Sequence, residues 1–172
     1  MTREEVYTEC LTKLKKSDFL LLELATGMGK SKQAIDIINY LVETKYQGKH
    51  TSMLLLVAKT VHKQTWKDEF KKWGGINVDE LTIECYESLK KHEYESFDFV
   101  VMDEAHHLNS DKRLDLFSTL TYGNVIGLSA TIPKKLKQYF QYEYAAEVVT
   151  CSIVDAIEDE VLSEPQIILY PL

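Results

Sequence analysis

The sequence lacks the long apolar segments that mark membrane proteins. Its longest apolar stretches, such as residues 19–22 and 53–58, are far shorter than the roughly 20 residues that a transmembrane helix needs. The chain does not open with the charged, apolar and small-residue segments of a signal peptide. These absences argue against a membrane or secreted protein, and we expect a soluble protein in the cytoplasm.

Cysteine is scarce, and its pattern excludes two kinds of cross-linked protein. The three cysteines, Cys10, Cys85 and Cys151, are widely separated and form no CxxC spacing. A disulfide framework needs paired cysteines, and a structural zinc site needs closely spaced ligands. We therefore expect three small, buried, apolar side chains in a reducing compartment.

Net positive charge is also missing. The formal charge of −7 and the pI of about 5.3 disfavour a protein that coats nucleic acid through bulk charge. Any nucleic-acid contact must be local, and residues 59–72, which contain five lysines and two acidic residues, are the candidate surface. A solvated helix face is the simpler interpretation of these charges. Trp66 in this segment and Trp73 just after it are spaced for a helix core rather than for stacking on bases.

Short apolar runs alternate with longer segments of helical period along the chain. The runs predict strands at residues 19–24, 53–58, 81–86, 97–102 and 124–128. The periodic segments predict helices at residues 30–43 and 61–73, after an amphipathic opening segment. This alternation is typical of a parallel sheet with helices on both faces. Because the 172 residues contain no internal repeat or obvious linker, we predict one three-layer α/β domain, residues 1–172.

A glycine-containing turn joins the first predicted strand to the next helix. Residues 24–31 read Leu-Ala-Thr-Gly-Met-Gly-Lys-Ser, which is the G-x-x-x-x-G-K-[ST] phosphate loop except that Leu24 replaces the first glycine. In such a loop, backbone N–H groups surround a polyphosphate, the lysine reaches its β and γ oxygens, and the hydroxyl ligates Mg²⁺. An ordinary glycine turn is the alternative. We predict a nucleotide phosphate site formed by Ala25, Thr26, Gly27, Met28, Gly29, Lys30 and Ser31.

The fourth predicted strand ends in an acidic cluster, Asp103 and Glu104. An aspartate near Mg²⁺ and a glutamate that orients or deprotonates water form the second half of a site for NTP hydrolysis. Two acids also stabilise an ordinary helix N-terminus, so this pair indicates hydrolysis only together with the phosphate loop. His106 and His107 have no third ligand at a spacing that suits a metal. We favour a hydrogen bond from His106 to a neighbouring polar strand end.

The fifth predicted strand ends in Ser129 and Thr131. In open α/β sheets, ligands bind beyond the carboxyl ends of the strands. The polar ends of the first, fourth and fifth strands are therefore expected to line one cleft.

In this order, the motifs resemble those of the first RecA-like domain of superfamily 2 helicases, over nearly the whole chain. Residues 25–31 look like motif I, residues 103–106 (Asp-Glu-Ala-His) look like the motif II box of DEAH-type members, and residues 129–131 (Ser-Ala-Thr) match motif III. Residues 58–66 are similar to motif Ia, and residues 86–89 resemble a Tyr-x-Ser-Leu element that follows it. The tail after residue 151 resembles the segment that leads toward a second motor domain.

This resemblance implies an ATP-dependent helicase or translocase of the P-loop NTPase class, with ATP and Mg²⁺ as cofactors. It assigns residues 26–29 and Lys30 to the phosphates, Ser31 and Asp103 to Mg²⁺, and Glu104 to the attacking water. The implied residues that couple ATP to nucleic acid are His106, Ser129 and Thr131, and the implied contacts to the nucleic-acid backbone are Lys59, Thr60 and Gln64.

The resemblance also bears on the substrate. The Ala-Thr-Gly-x-Gly-Lys loop and Trp66 after motif Ia look more like restriction, repair and phage motors than RNA-dedicated DEAD-box proteins, so we favour double-stranded DNA over RNA. The family reads adenine with a Tyr-Gln pair, whereas Thr8 follows Tyr7 here, which leaves base specificity open. This unusual segment would suit a phage protein, which would act in the cytoplasm of its host.

Members of this superfamily complete the ATP site with arginines from a second RecA-like domain, which the 172 residues do not contain. Such an arginine is worth about 10³ to 10⁵ in rate in related enzymes, so we expect slow hydrolysis, or none, by this chain alone. The second domain is expected in cis or in trans. The alternatives are a nucleotide-responsive scaffold without turnover and a different class of P-loop NTPase.

Overall fold

The computed structural model describes residues 1–75 and 81–151, in which strands and helices alternate. The strands are β1 (Phe19–Leu24), β2 (Met53–Val57), β3 (Leu81–Cys85), β4 (Ser96–Met102), β5 (Thr121–Ser129) and β6 (Glu147–Cys151). The α-helices are α1 (Arg3–Leu14), α2 (Lys30–Thr44), α3 (Val61–Trp73), α4 (Asp111–Ser118) and α5 (Lys134–Tyr144). Two 3-10 segments, Tyr86–His92 and Ala105–His107, follow β3 and β4.

All six strands belong to one sheet in the order β3-β2-β4-β5-β1-β6, and every neighbouring pair is parallel. One face of the sheet packs against α1, α2 and α3, and the other packs against α4, α5 and the segment Tyr86–His92. Side chains of β2 are buried along the whole strand, as expected when both faces are covered. The predicted three-layer α/β fold is therefore confirmed.

The predicted strands and helices are all present, with ends that differ by a few residues at most. Sequence reasoning did not find α4, α5 or β6. In α4, Phe117 is the fully buried residue, and eight residues are too short a segment to establish a helical period from sequence. The segment β6 is an edge strand, and two of its five residues are buried. The predicted exit segment, residues 152–169, lies outside the described residues.

The cysteines occupy the positions that their scarcity predicted. Cys10, Cys85 and Cys151 are buried and none forms a disulfide. In the residues that the structure describes, no helix combines the length and apolar character needed to cross a membrane.

Gly123, near the start of β5, occupies a position where a methyl group does not fit. A Cβ atom there would overlap the Tyr46 hydroxyl and lie 2.8 Å from the carbonyl oxygen of Asp98. We expect Gly123→Ala to lower the free energy of unfolding by about 1–3 kcal/mol, measured by urea denaturation. Adding Tyr46→Phe removes one of the two overlaps and should recover part of the loss. Unchanged stability of Gly123→Ala would contradict this packing.

Candidate functional site

The phosphate loop lies between β1 and α2 and adopts a conformation that needs glycine. Gly27 and Gly29 have φ values of 93° and 70°, a region that side chains disfavour. Gly29 is the N-cap residue of α2 and forms no side-chain cap, so N–H groups of the first turn are available to an anion. Met28 is fully buried, which anchors the loop in the core. The loop thus combines free donors with the positive end of a helix dipole.

Arg3 of α1 contacts the phosphate loop, and sequence reasoning did not predict this contact. The guanidinium of Arg3 donates a hydrogen bond to the carbonyl oxygen of Gly27 at 2.8 Å. This contact joins residues 24 positions apart, and nothing in the sequence around Arg3 marks it. Arg3 therefore fixes the outside of the loop.

The predicted lysine and glutamate are neighbours. Lys30 Nζ lies 3.7 Å from Glu104 Oε1, and both side chains are partly buried. Glu104 has a φ of 49° and a ψ of 58°, a left-handed conformation that is uncommon for residues other than glycine and often marks functional positions. The turn after β4 therefore directs a carboxylate toward the phosphate loop.

Asp103 is held through both its backbone and its side chain. The indole Nε1 of Trp66 donates to Asp103 Oδ2 at 3.0 Å. The hydroxyl of Tyr86 donates to the Asp103 carbonyl oxygen at 2.6 Å. Burial raises the pKa of the Asp103 carboxyl above its ordinary value, whereas the bond from Trp66 lowers it. These two aromatic residues fix the position of the carboxylate before any ligand binds.

The ends of β4 and β5 are bridged by the side chain of His106. His106 Nδ1 lies 2.9 Å from Ser129 Oγ, which confirms the predicted hydrogen bond to a neighbouring strand end. Ser129 Oγ donates to the carbonyl oxygen of Thr131 at 2.8 Å and accepts from the Thr131 N–H at 3.3 Å, so one lone pair remains available to a proton on Nδ1. His106 also lies 3.5 Å from Glu104. The motif II turn and the motif III turn are therefore in direct contact.

Glu23 is a second residue that sequence reasoning missed. Its carboxylate accepts a hydrogen bond from the backbone N–H of Ile132 at 2.7 Å and another from Lys137 Nζ at 3.0 Å. These contacts fix the chain just after Thr131 against β1. The available signal was a single charged residue inside the otherwise apolar strand FLLLEL.

Two cavities adjoin the phosphate loop. The smaller, of about 410 Å³, lies on the side of the acidic cluster and is lined by Gly27, Gly29, Lys30, Ser31, Thr65, Trp66, Glu69 and Asp103. The hydroxyl of Ser31 and the carboxylate of Asp103 suit Mg²⁺, which takes few protein ligands and completes its shell with phosphates and water. Among the described residues, no cluster of three or more His, Cys, Asp or Glu side chains forms a larger metal site.

The larger cavity, of about 700 Å³, lies between α1, α2 and α3. Its lining includes Tyr7, Met28, Gln33 and Trp73. Gln33 is 5% exposed, and its Nε2 donates to the Arg3 carbonyl oxygen at 2.7 Å. Its Oε1 is buried and has no hydrogen-bond partner among the residues that the structure describes, which is costly unless a ligand supplies a donor.

The tryptophans of α3 differ from each other in their surroundings. Trp66 is 4% exposed, as a helix-core position predicts. Trp73 is 36% exposed, so the prediction that it belongs to the core is wrong. Its ring lies under Lys32 and Lys72, whose Nζ atoms are 5.1 and 4.8 Å from the centroid. Trp73 comes at the last residue of α3, where the helix has passed beyond the sheet surface and borders the larger cavity instead.

The predicted nucleic-acid contacts lie at the beginning of α3. Lys59, Thr60 and Gln64 are exposed there, beyond the carboxyl end of β2. Lys63, from the same basic segment, pairs with Glu84 at 3.4 Å and is not a free cation. The local positive surface is therefore narrower than the charge count of residues 59–72 indicates.

Comparison with known proteins extends these observations. QP509L of African swine fever virus, which is provisionally named an ATP-dependent RNA helicase, is 29% identical, and the match covers 64% of this chain and 24% of the viral protein. The same protein from another isolate is 28% identical over the same shares. The chain thus spans about a quarter of the length of these relatives.

Solved structures of a helicase, an ATPase core and a restriction-modification enzyme share the fold. The UvsW helicase of bacteriophage T4 has a TM-score of 0.65 at 19% identity, over 87% of this chain and 58% of that one. The SWI2/SNF2 ATPase core of Sulfolobus solfataricus, solved with double-stranded DNA, has a TM-score of 0.62 at 14% identity, over 86% and 43%. The restriction-modification enzyme LlaGI, solved with a DNA substrate mimic, has a TM-score of 0.64 at 16% identity, over 92% and 20%.

The family model described as DEAD/DEAH box helicase matches residues 42–139, which is more than half of the chain. This range contains the acidic turn after β4, the His106 bridge and the exposed start of α3. The chain belongs to the DEAD/DEAH box helicase family.

Proposed function

We propose that this chain is the ATP-binding first motor domain of a superfamily 2 helicase or translocase. The observation that carries the proposal is the shared cavity of Lys30, Ser31 and Asp103, with Glu104 3.7 Å from Lys30. Hydrolysis of ATP in this cavity would drive movement along nucleic acid once a second RecA-like domain closes over the nucleotide.

Each residue of the smaller cavity has a distinct role in the proposal. The backbone N–H groups of residues 26–29 and the ammonium of Lys30 bind the phosphates. Ser31 and Asp103 would hold Mg²⁺, which neutralises charge on the phosphates when bound. Glu104 accepts a proton from the attacking water or orients it. Lys30 Nζ lies 3.7 Å from Glu104 Oε1, so a polyphosphate that binds Lys30 would release this carboxylate for its role.

The nucleotide base is proposed to enter the larger cavity, which begins at the phosphate loop. Tyr7 supplies an aromatic face. The unpartnered Oε1 of Gln33 accepts a hydrogen bond, and the exocyclic amino group of adenine is such a donor. Gln33 thereby compensates for the threonine that follows Tyr7.

Coupling between ATP and nucleic acid is assigned to the bridge between strand ends. His106, Ser129 and Thr131 connect Glu104 to the turn after β5. A second domain that binds this turn would therefore change the position of the catalytic carboxylate.

We propose double-stranded DNA as the nucleic acid, in preference to RNA. Two structural neighbours are described with DNA, whereas the viral relatives are named RNA helicases. The basic start of α3 suits the phosphate backbone of either.

Replacing both Lys59 and Gln64 with alanine should weaken duplex DNA binding about three- to tenfold at low salt. The slope of log affinity against log salt should fall by about one, because one lysine no longer displaces counterions. Fluorescence anisotropy across a salt series measures both quantities. Lys112→Ala, which removes an exposed cation from α4 on the other face of the sheet, is the control. Equal losses for the two variants would mean nonspecific charge attraction rather than a site at α3.

A nucleotide-responsive scaffold without turnover is the second candidate. Among the described residues that line the two cavities, Arg3 is the one arginine, and it is engaged with Gly27. The motor receives its rate-accelerating arginine from a second domain, whereas the scaffold needs none.

Titration of this chain with a fluorescent ATP analogue, with Mg²⁺ and then with EDTA, tests the proposal. Single-turnover phosphate release, with and without duplex DNA or duplex RNA, then separates the two candidates. Binding with slow, nucleic-acid-dependent release supports the motor. Binding without release under any condition supports the scaffold. Absence of binding would exclude both.

A further inference from the structure

We propose that Trp66 is a positioning residue for the Mg²⁺ ligand Asp103, and that it links the nucleic-acid end of α3 to the metal site. The inference rests on the proposed function of Asp103 and deepens it. It identifies a single hydrogen bond, across 37 residues of sequence, as the physical connection between two motifs.

The geometry of Trp66 suits positioning better than packing alone. The ring is buried against Phe70, with centroids 6.0 Å apart, and both residues belong to the core cluster on this face. A phenylalanine would fill such a position without a polar atom. Trp66 instead directs its one N–H to Asp103 Oδ2 at 3.0 Å, and an indole N–H donates but does not accept. The indole therefore serves only as a donor in this contact, and the carboxylate of Asp103 is its acceptor.

The bond restricts how Asp103 can meet a cation. Because Oδ2 accepts from the indole, Oδ1 is the oxygen that this bond leaves available to a cation. The backbone of the same residue is held independently, since its N–H donates to the Leu56 carbonyl oxygen at 2.9 Å and its carbonyl oxygen accepts from Tyr86. Because the main chain is fixed, Trp66 controls the remaining freedom, the rotation of the carboxylate about χ1 and χ2.

The same helix carries the candidate nucleic-acid contacts. Gln64 precedes Trp66 by two residues, and Thr65 and Glu69 lie with Trp66 along the wall of the smaller cavity. A helix moves as a rigid element. A shift of α3 when its first turn binds a backbone phosphate therefore moves the indole, and with it the carboxylate. Nucleic acid would in this way change the affinity for Mg²⁺ without touching the nucleotide.

Two substitutions separate the donor from the ring. Trp66→Phe keeps an aromatic ring and removes the N–H, whereas Trp66→His is smaller but retains an N–H at Nε2, three bonds from Cβ as in the indole. Phe70→Leu is the packing control on the same helix. Thermal unfolding ranks the stabilities of all variants. Affinity for the fluorescent ATP analogue is measured at pH 8, with Mg²⁺ and with EDTA, and again with saturating duplex DNA.

If Trp66 positions Asp103, the gain in nucleotide affinity due to Mg²⁺ should not follow the stability of the variants. Trp66→Phe should reduce the gain in nucleotide affinity due to Mg²⁺ about tenfold, the scale of a hydrogen bond to a charged group, while the affinity in EDTA stays within about twofold. Trp66→His should retain most of the gain although it is the less stable protein. Phe70→Leu should lose stability and keep the gain. Duplex DNA should alter the Mg²⁺ requirement of the wild type and not that of Trp66→Phe.

Three results would overturn the inference. A Mg²⁺ gain in Trp66→Phe equal to that of the wild type would show that the N–H does not position Asp103. Parallel losses in Trp66→His and Phe70→Leu would show that packing is the cause. If the wild type binds the nucleotide equally well in EDTA and in Mg²⁺, the proposed metal site at Asp103 is contradicted. Absence of wild-type binding under either condition is a different result, because it contradicts the proposed nucleotide site.

Discussion

Lys30→Ala should lose most of the affinity of this chain for ATP. The ammonium is partly buried, and its recorded ionic partner is Glu104 at 3.7 Å, so the variant leaves that carboxylate uncompensated beside the phosphates. Loss of a charge-assisted contact and gain of a repulsion act in the same direction. We expect affinity to fall at least about thirtyfold, from the roughly 1.5–3 kcal/mol of a hydrogen bond to a charged group plus the repulsion.

Isothermal titration with a nonhydrolysable ATP analogue measures this loss. Lys45→Ala is the matched control, because Lys45 follows the other end of α2 and bonds Asn124 Oδ1 at 2.7 Å. It removes the same charge from the same helix without touching the loop. Equal affinity of Lys30→Ala and the wild type would place the nucleotide elsewhere and end the motor assignment for this cavity.

Glu104→Gln should keep the affinity for ATP and lose the rate of hydrolysis. The amide cannot accept the proton of the attacking water, so phosphate release in a single turnover should fall about 10²- to 10⁴-fold, the usual contribution of a general base. Binding should be retained or strengthened, because Lys30 no longer has an anionic partner to leave. The double variant with Lys30→Ala should bind better than Lys30→Ala alone, since the uncompensated carboxylate is gone.

Quench-flow with labelled ATP, with duplex DNA and excess protein, measures the rate. Glu87→Gln, on the exposed side of the segment Tyr86–His92, is the control for loss of a negative charge. A rate in Glu104→Gln close to that of the wild type would transfer the proton-accepting role to another group. Weaker ATP binding by Glu104→Gln would mean that the carboxylate helps to build the phosphate site.

The sequence was sufficient for the parts of the fold that depend on local pattern. Apolar runs located β1, β2 and β4, because strands covered on both faces need apolar side chains at nearly every position. The phosphate loop and the acidic turn followed from residue types that a polyphosphate requires. Sequence reasoning missed the edge strand β6 because its exposed Thr150 interrupts the apolar run.

Contacts between distant segments were beyond sequence reasoning. The indole of Trp66 lies beside the carboxylate of Asp103 because of how α3 packs on the sheet. No local sequence pattern predicts that two residues so far apart in the chain are in contact. The same holds for Arg3 on the loop and for Glu23 below the motif III turn. For Trp73, a local pattern led to a wrong prediction. Its spacing from Trp66 indicates a buried residue, but it lies at the last residue of α3, where its ring is exposed.

The position of β5 in the sheet has a consequence for how the site is assembled. The phosphate loop follows β1 and the acidic turn follows β4, and these two strands do not pair with each other, because β5 lies between them. The two halves of the cavity therefore meet only after β5 has inserted between β1 and β4. In the proposed function, nucleotide binding thus depends on the completed sheet.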